Sequence, residues 1–225
     1  MRTTAIVAAL SALLCTTLVA YPPSSTQRGG QQGLTEAQVR SAALEVPRLM
    51  EVLALEPGMT VADVGAGFGA WTTALARVLG PGGRVYATEI GERQLGALRA
   101  AVADQGLANV TVVEGAERST NLPPHCCDAI LIRDVYHHLT QPADVLRSLV
   151  GALKPGGRLA VVDFPPRPNS ALSAGVPANR VGHGVPPDVV LEEVTAAGLT
   201  SVSVDRTWSP RSEPSDLFLL VFRKP

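Results

Sequence analysis

The sequence predicts an α/β domain: a mainly parallel sheet with helices on both faces, finished by a C-terminal antiparallel hairpin. Three observations carry that expectation. Val61–Trp71, VADVGAGFGAW, reads as an apolar strand with an acid near its end, three alternate glycines and the start of a helix. Downstream, strand-like and helix-like segments alternate, which implies parallel strands with right-handed crossovers. The last two β-rich segments, Ser201–Thr207 and Leu217–Phe222, are parted by only a short polar loop, which favours antiparallel pairing.

Residues 1–20 read as a signal peptide. Arg2 precedes an apolar run, Ala5–Leu14, and Leu18-Val-Ala20 ends on a small residue suited to cleavage. The run is short for a spanning helix of about 20 residues, so no stable membrane span is expected after cleavage. The expected location is periplasmic or extracellular, with tethering through an uncleaved signal as the alternative. A lipoprotein reading through Cys15 is opposed by Leu14, where a small residue belongs, and a start at Met50 would delete most of the helix before the first motif. Residues 21–34, rich in Pro, Ser, Gln and Gly, read as a flexible linker. Residues 35–225 form the folded domain.

Thr35 with Gln38 fits a capping box for a first helix. Pro47 suits the first turn of a second helix running to about Leu55, with Leu44, Val46, Leu49, Val52 and Leu53 as its apolar face. This segment is expected to pack on the sheet. After the first strand, Trp71–Leu79 supplies a helix stopped by Gly80-Pro-Gly-Gly83. Arg84–Ile90 is a second strand carrying Glu89, Arg93–Val102 a helix, and Asn109–Glu114 a third strand. Asp128–Arg133 is the fourth, followed by the helix Ala143–Leu153. A turn, Leu153–Arg158, feeds the fifth strand, Leu159–Asp163. Phe164–Pro187 is too long for an ordinary connection and reads as a lid or substrate segment. Pro186 and Pro187 open the helix Asp188–Ala197.

Composition narrows the function. Hydrophobic residues make up 46% and charged residues 17%, as in a globular chain, and the net charge of -1 gives no global attraction to nucleic acid. Cys126 and Cys127 are expected to be small buried thiols, because a ring between neighbouring cysteines is strained and uncommon. No His or Cys spacing suggests zinc, and no metal site is expected.

The glycine turn lets a ligand lie against the backbone. GAGFGA alone also fits the dinucleotide fingerprint, so an NAD-dependent oxidoreductase remains an alternative. Asp63, two residues before Gly65, suits a cationic ammonium better than a phosphate. At these residues the chain resembles the class I S-adenosylmethionine (SAM)-dependent methyltransferases, whose first motif is a strand ending in an acidic residue followed by G-x-G-x-G. Glu89, Gly115-Ala116-Glu117, Arg133-Asp134 and the LKPGG turn at Leu153–Gly157 follow at matching intervals, from about Leu44 to Pro225. The resemblance implies a Rossmann-like seven-stranded methyltransferase fold, SAM as cofactor and methyl transfer to a small molecule. Arg133-Asp134 and the LKPGG turn resemble those of quinone and other small-molecule methyltransferases.

By the same resemblance, Asp63 and the backbone of Gly65, Ala66, Gly67 and Gly69 hold the amino-acid part of SAM. Glu89 takes the ribose hydroxyls, Ile90 packs beside the adenine, and Gly115, Ala116 and Glu117 meet the adenine edge. Arg133 is grouped with this cofactor set. Ala116 departs from the family pattern, where an Asp is common, and leaves that contact open. Asp134, Tyr136 and His137, after the fourth strand, and His183, in the long loop, are the candidates for work on the acceptor; His138 is a weaker one. Export would part the protein from cytoplasmic SAM, so a SAM- or nucleoside-binding module without turnover is a second alternative.

Overall fold

The computed structural model describes residues 33–209 and 215–225. The signal and most of the linker expected from the sequence lie outside the described residues. Among the described residues, no helix is long and apolar enough to cross a membrane.

The chain runs α1 (Glu36–Leu53), β1 (Thr60–Val64), α2 (Ala70–Leu79), β2 (Arg84–Glu89), α3 (Glu92–Asp104), β3 (Val110–Glu114), β4 (Cys127–Arg133), α4 (Pro142–Ala152), β5 (Leu153–Asp163), α5 (Pro187–Ala196), β6 (Thr200–Asp205) and β7 (Phe218–Arg223). The seven strands lie in the order β3-β2-β1-β4-β5-β7-β6. Strands β1 to β5 pair in parallel, and β7 pairs antiparallel with both β5 and β6. The expected parallel sheet with an antiparallel C-terminal pair is therefore present.

Alternation along β4 builds two cores, because successive strand residues point to opposite faces. Ile130 and Ile132 join Leu146, Leu149, Val190 and Val194 from α4 and α5. Ala129 and Leu131 join Val46, Leu49, Leu53, Leu75 and Leu79 from α1 and α2. Strands buried on both faces read as the near-continuous apolar runs seen in the sequence.

Four expectations need correction. The capping box is present, with Gln38 N donating to Thr35 Oγ1 at 3.2 Å and Thr35 N donating to Gln38 Oε1 at 3.0 Å. The helix that it starts continues unbroken through Pro47, so there is one N-terminal helix instead of two. Proline removes one backbone donor, but Ala43, whose carbonyl loses it, is exposed to water, and burial of Val46, Leu49 and Leu53 holds the helix on the sheet. Leu44, placed on the apolar face, is exposed; Glu45 is buried in its stead.

The LKPGG segment belongs to β5 as its first residues, although it turns. Pairing skips from Cys127↔Leu153 to Ala129↔Arg158, and Gly156 has φ +78°. Cys126 and Cys127 are joined in a disulfide, where free thiols were expected. Neighbouring side chains of a regular strand point apart, but the register breaks here and His125 has φ +52°, so the two sulfurs can meet.

Candidate functional site

The carboxyl ends of β1, β2 and β4 converge on the glycine turn. Gly65 N and Ala66 N both donate to Thr88 O at 2.9 Å, fixing the turn to β2. Gly65 has φ +73°, and a Cβ there would stand 2.5 Å from Val135 Cγ2, so only glycine lets β1 and the β4 exit close together. Gly67, by contrast, would place a Cβ in open space; its backbone faces a ligand-sized gap.

Two clefts meet at this turn. One, of about 570 Å³, is lined by Gly65, Glu89, Ile90, Gly115, Ala116 and Glu117, and reaches Val135, His138 and Thr140. The other, of about 490 Å³, is roofed by Gln38 and Ser41 of α1 and floored by Gly65–Phe68, with Arg133 and Asp134 on its wall. Gly65, Glu89, Gln94 and Val135 border both, which makes one bent groove across the strand ends, the ligand position of open α/β sheets.

Glu89 holds the bend. Its carboxylate accepts from Gly67 N at 2.9 Å and from Ile90 N at 2.8 Å. The Ile90 side chain stands 63% exposed beside it, a large apolar surface that a flat ring would cover. Glu117 accepts from Thr140 Oγ1 at 2.6 Å, bridging the third-strand exit to the fourth. Ala116 pairs through its backbone with Ser119.

Asp63 lies beneath the turn. It is buried, accepts from Thr72 Oγ1 at 2.6 Å, and is pushed up to about 6, chiefly by burial and further by the charge of Glu89, against the pull of Thr72 and Arg133. A buried carboxylate in this state gains from a nearby cation.

Sequence reasoning missed Glu45. It accepts from Trp71 Nε1 at 2.9 Å, Arg133 Nε at 2.7 Å and Trp208 Nε1 at 2.7 Å, while the Arg133 guanidinium stacks 3.8 Å over Trp71. Arg133 is thus held by α1 and α2 where it meets the second cleft. An acid at an apolar-face position of α1, with the two tryptophans elsewhere in the chain, was the available signal.

The residues after β4 separate. Asp134 has φ +59° and is exposed at the groove; crowding by protein atoms and then the charge of Asp163 raise its carboxyl above the usual range. Tyr136 points the other way and does not face the groove. It is fully buried and donates to Glu193 Oε2 at 2.8 Å; burial and the Glu193 charge push its hydroxyl far above the usual tyrosine range. The sequence placed Tyr136 near the acceptor, but the short 3-10 turn Tyr136–His138 rotates it into the core.

The same turn sends His137 and His138 toward the long loop. His137 is buried, its Nδ1 2.8 Å from Asp163 Oδ1, and its backbone N donates to Asp163 Oδ2. His138 lines the larger cleft; burial and the neighbouring His137 and His183 hold its ring below the ordinary histidine range. His183 completes the group, its ring 4.9 Å from His137 and 5.8 Å from His138. Asp163, at the carboxyl end of β5 as Asp63 is of β1, was visible in the sequence but not singled out.

Sheet order, antiparallel edge and glycine-turn groove define a Rossmann-like fold of the methyltransferase type. Residues 62–161 match the family model described as a methyltransferase domain. A ubiquinone/menaquinone biosynthesis C-methyltransferase, UbiE, of Ectopseudomonas mendocina is 34% identical over 128 residues, 56% of this chain and 50% of that protein. The chain spans about half the length of the curated relatives it matches. A SAM-dependent methyltransferase from Aquifex aeolicus superposes with TM-score 0.67 and 24% identity, over 83% of this chain and 93% of that one. A phosphoethanolamine N-methyltransferase 2 of Haemonchus contortus, solved with SAM, gives 0.63 and 15% over 80% and 52%. Over residues 62–161 the chain is similar in sequence to methyltransferase domains, and in fold it is similar to SAM-dependent methyltransferases.

Proposed function

We propose that this protein transfers a methyl group from SAM to a small molecule, and that the acceptor is a carbon of a quinone-type ring. The observation that carries the reading is the bent groove, with Glu89 at its bend, the glycine backbone on one side and exposed Ile90 on the other. Those features fit the cofactor: an open backbone cradle at Gly67, a carboxylate acceptor, and an apolar surface beside it. The quinone-type acceptor rests on the resemblance to the UbiE proteins.

When bound, the sulfonium of SAM supplies an already electrophilic methyl, so the protein's work is mainly alignment. Asp63 offsets the positive charge of the amino-acid end through the turn, and the Gly65–Gly69 backbone carries that end. Glu89 would accept from the ribose hydroxyls, Ile90 would cover one face of the adenine, and Gly115, Ala116 and Glu117 would border its edge. Arg133, fixed by Glu45, closes the second cleft. Val135, His138 and Thr140 form the acceptor end. Residues 1–20 direct export, so the reaction takes place outside the cytoplasm.

Calorimetric titration with SAM, S-adenosylhomocysteine and NAD tests the cofactor. Micromolar binding of both adenosyl ligands and none of NAD is expected; binding of NAD alone would overturn the reading. Incubation with labelled SAM and demethylated quinone precursors then tests turnover. SAM binding without methyl transfer to any acceptor would leave a binding module in place of an enzyme.

A further inference from the structure

The strongest feature outside the cofactor groove is the meeting of His137, His138 and His183. One ring nitrogen from each lies within 4.8 Å of the others. Histidines converge this closely at a metal, at a proton relay, or in an apolar stack, and the surroundings separate the three. An apolar stack would leave the ring nitrogens unoriented, yet His137 Nδ1 lies 2.8 Å from buried Asp163. A carboxylate can only accept, so Nδ1 carries the proton and the Nε2 lone pair of the neutral ring is left for another partner. Asp163 is itself fixed from three sides, by the His137 ring, His137 N and Phe164 N. A buried carboxylate that orients an imidazole through the far nitrogen is how metal-ligating histidines are held. A relay would need a further proton carrier within easy reach, and among the described residues the hydrogen bond to these rings besides that of Asp163 is a long one, His138 Nδ1 with Ser173 Oγ at 3.4 Å.

The backbone also spends conformation on bringing His183 in. Gly182 and Gly184 flank it with φ +151° and +120°, and a Cβ at Gly184 would stand 2.7 Å from Pro165 O. His183 N donates to Ser170 Oγ at 2.8 Å, and His183 O accepts from Arg167 N. Two glycines in conformations closed to other residues therefore set this one imidazole over the other two.

We propose that His137, His138 and His183 bind a divalent transition-metal ion, with Zn²⁺ the probe of choice, and that Asp163 orients His137 behind it. Neutral imidazoles suit zinc and its neighbours. Ligand nitrogens around tetrahedral zinc stand about 3.4 Å apart, given bonds of about 2.0–2.1 Å, so modest rotation of exposed His138 and half-buried His183 completes the set. Three protein ligands leave a fourth position for water or for an oxygen of an incoming molecule, the arrangement of reactive zinc sites. His138 lines the larger cleft, so that open position belongs to its acceptor end. An acceptor hydroxyl bound there would lose its proton more readily; this last role rests on the methyltransferase reading, whereas metal binding does not.

The test uses the full chain purified without a polyhistidine tag, stripped with chelator and titrated calorimetrically with Zn²⁺ in the absence of SAM. One zinc per chain is expected. His183→Ala and His138→Ala should each weaken it at least tenfold, with an unchanged melting midpoint in the zinc-free protein, and His125→Ala should have no effect. Cobalt loading of the parent gives a second readout that needs no variant, and intense visible bands of a tetrahedral site are expected. Absence of stoichiometric binding, parent-like affinity in either variant, loss of zinc in His125→Ala, or the weak bands of octahedral cobalt would each overturn the proposal. Because SAM is absent throughout, failure here leaves the cofactor reading standing, and failure of that reading leaves this one standing.

Discussion

The two ends of the groove are made from different kinds of contact. At the end proposed for the cofactor, the groove is built around a stretch of backbone and its local partners: a glycine turn hydrogen-bonded to Thr88, the Glu89 carboxylate capping Gly67, and Asp63 bonded to Thr72 a short way along the chain. At the end proposed for the acceptor, His138 belongs to a cluster of side chains from three separate elements, with His137 paired to Asp163 from β5 and His183 delivered by the long loop. Backbone cradles tolerate little change at the turn but ask little of their neighbours. Side-chain clusters depend on every element that feeds them. The cofactor end should therefore respond to substitution mainly in SAM affinity, and the acceptor end in what it binds besides SAM.

The largest effect is expected where the cofactor end depends on tertiary packing. Glu45→Ala strips the acceptor from Arg133, Trp71 and Trp208 at once, and leaving a buried ion pair with one partner costs about 3–5 kcal/mol. Denaturant unfolding measures it; a loss under about 1 kcal/mol, within the range of an exposed pair, would mean that the network is solvated. Gly65→Ala should come next. It combines a positive φ with a 2.5 Å approach to Val135, a strain of about 2–4 kcal/mol, together with loss of SAM binding. Parent-like affinity there would remove the turn from the cofactor site.

Glu89→Ala should weaken SAM about 30–100-fold, the worth of about 2–3 kcal/mol in charged hydrogen bonds, with a smaller effect on the melting midpoint. His183→Ala is the matched control from the other end and should leave SAM affinity unchanged. Equal losses in both variants would erase the division between the ends.

The smallest effect is a change of slope with pH. Asp63 is raised to about 6 in the folded protein from an ordinary value of 3.8, so the native state holds the proton more tightly than the unfolded chain. Stability should fall as pH rises from about 4 to about 6 and then level off, because the unfolded state gives up its proton first. Asp63→Asn keeps an acceptor for Thr72 and should flatten that slope, gaining about 1–3 kcal/mol above pH 6. SAM affinity, which the ionised carboxylate favours, should rise through the same interval in the parent and stay low in the variant. A parent stability curve that is flat from pH 4 to 6 would place the ordinary carboxylate value on Asp63.

How far this could be read from residues alone followed contact range. Val61–Trp71, Glu89 and Gly115 belong to strands and turns whose signals are local, so their order and spacing placed the groove. The continuous α1 was not legible, because Pro47 breaks a helix by local rules and only burial of Val46, Leu49 and Leu53 overrides it. The Cys126–Cys127 disulfide was likewise hidden, since the register break at the start of β4 depends on how β5 pairs with it.

The sequence by itself determined the alternation of strands and helices, the antiparallel edge and the glycine turn with its acids. Apolar runs, capping residues and glycines act on their neighbours within a few positions. Tertiary structure decided that Tyr136 turns into the core while His137 and His138 meet His183, that Glu45 gathers two tryptophans and Arg133, and that Asp163 stands behind an imidazole. Those partners lie far apart in the chain, and nothing in one segment specifies which side chain the packing of another will bring against it.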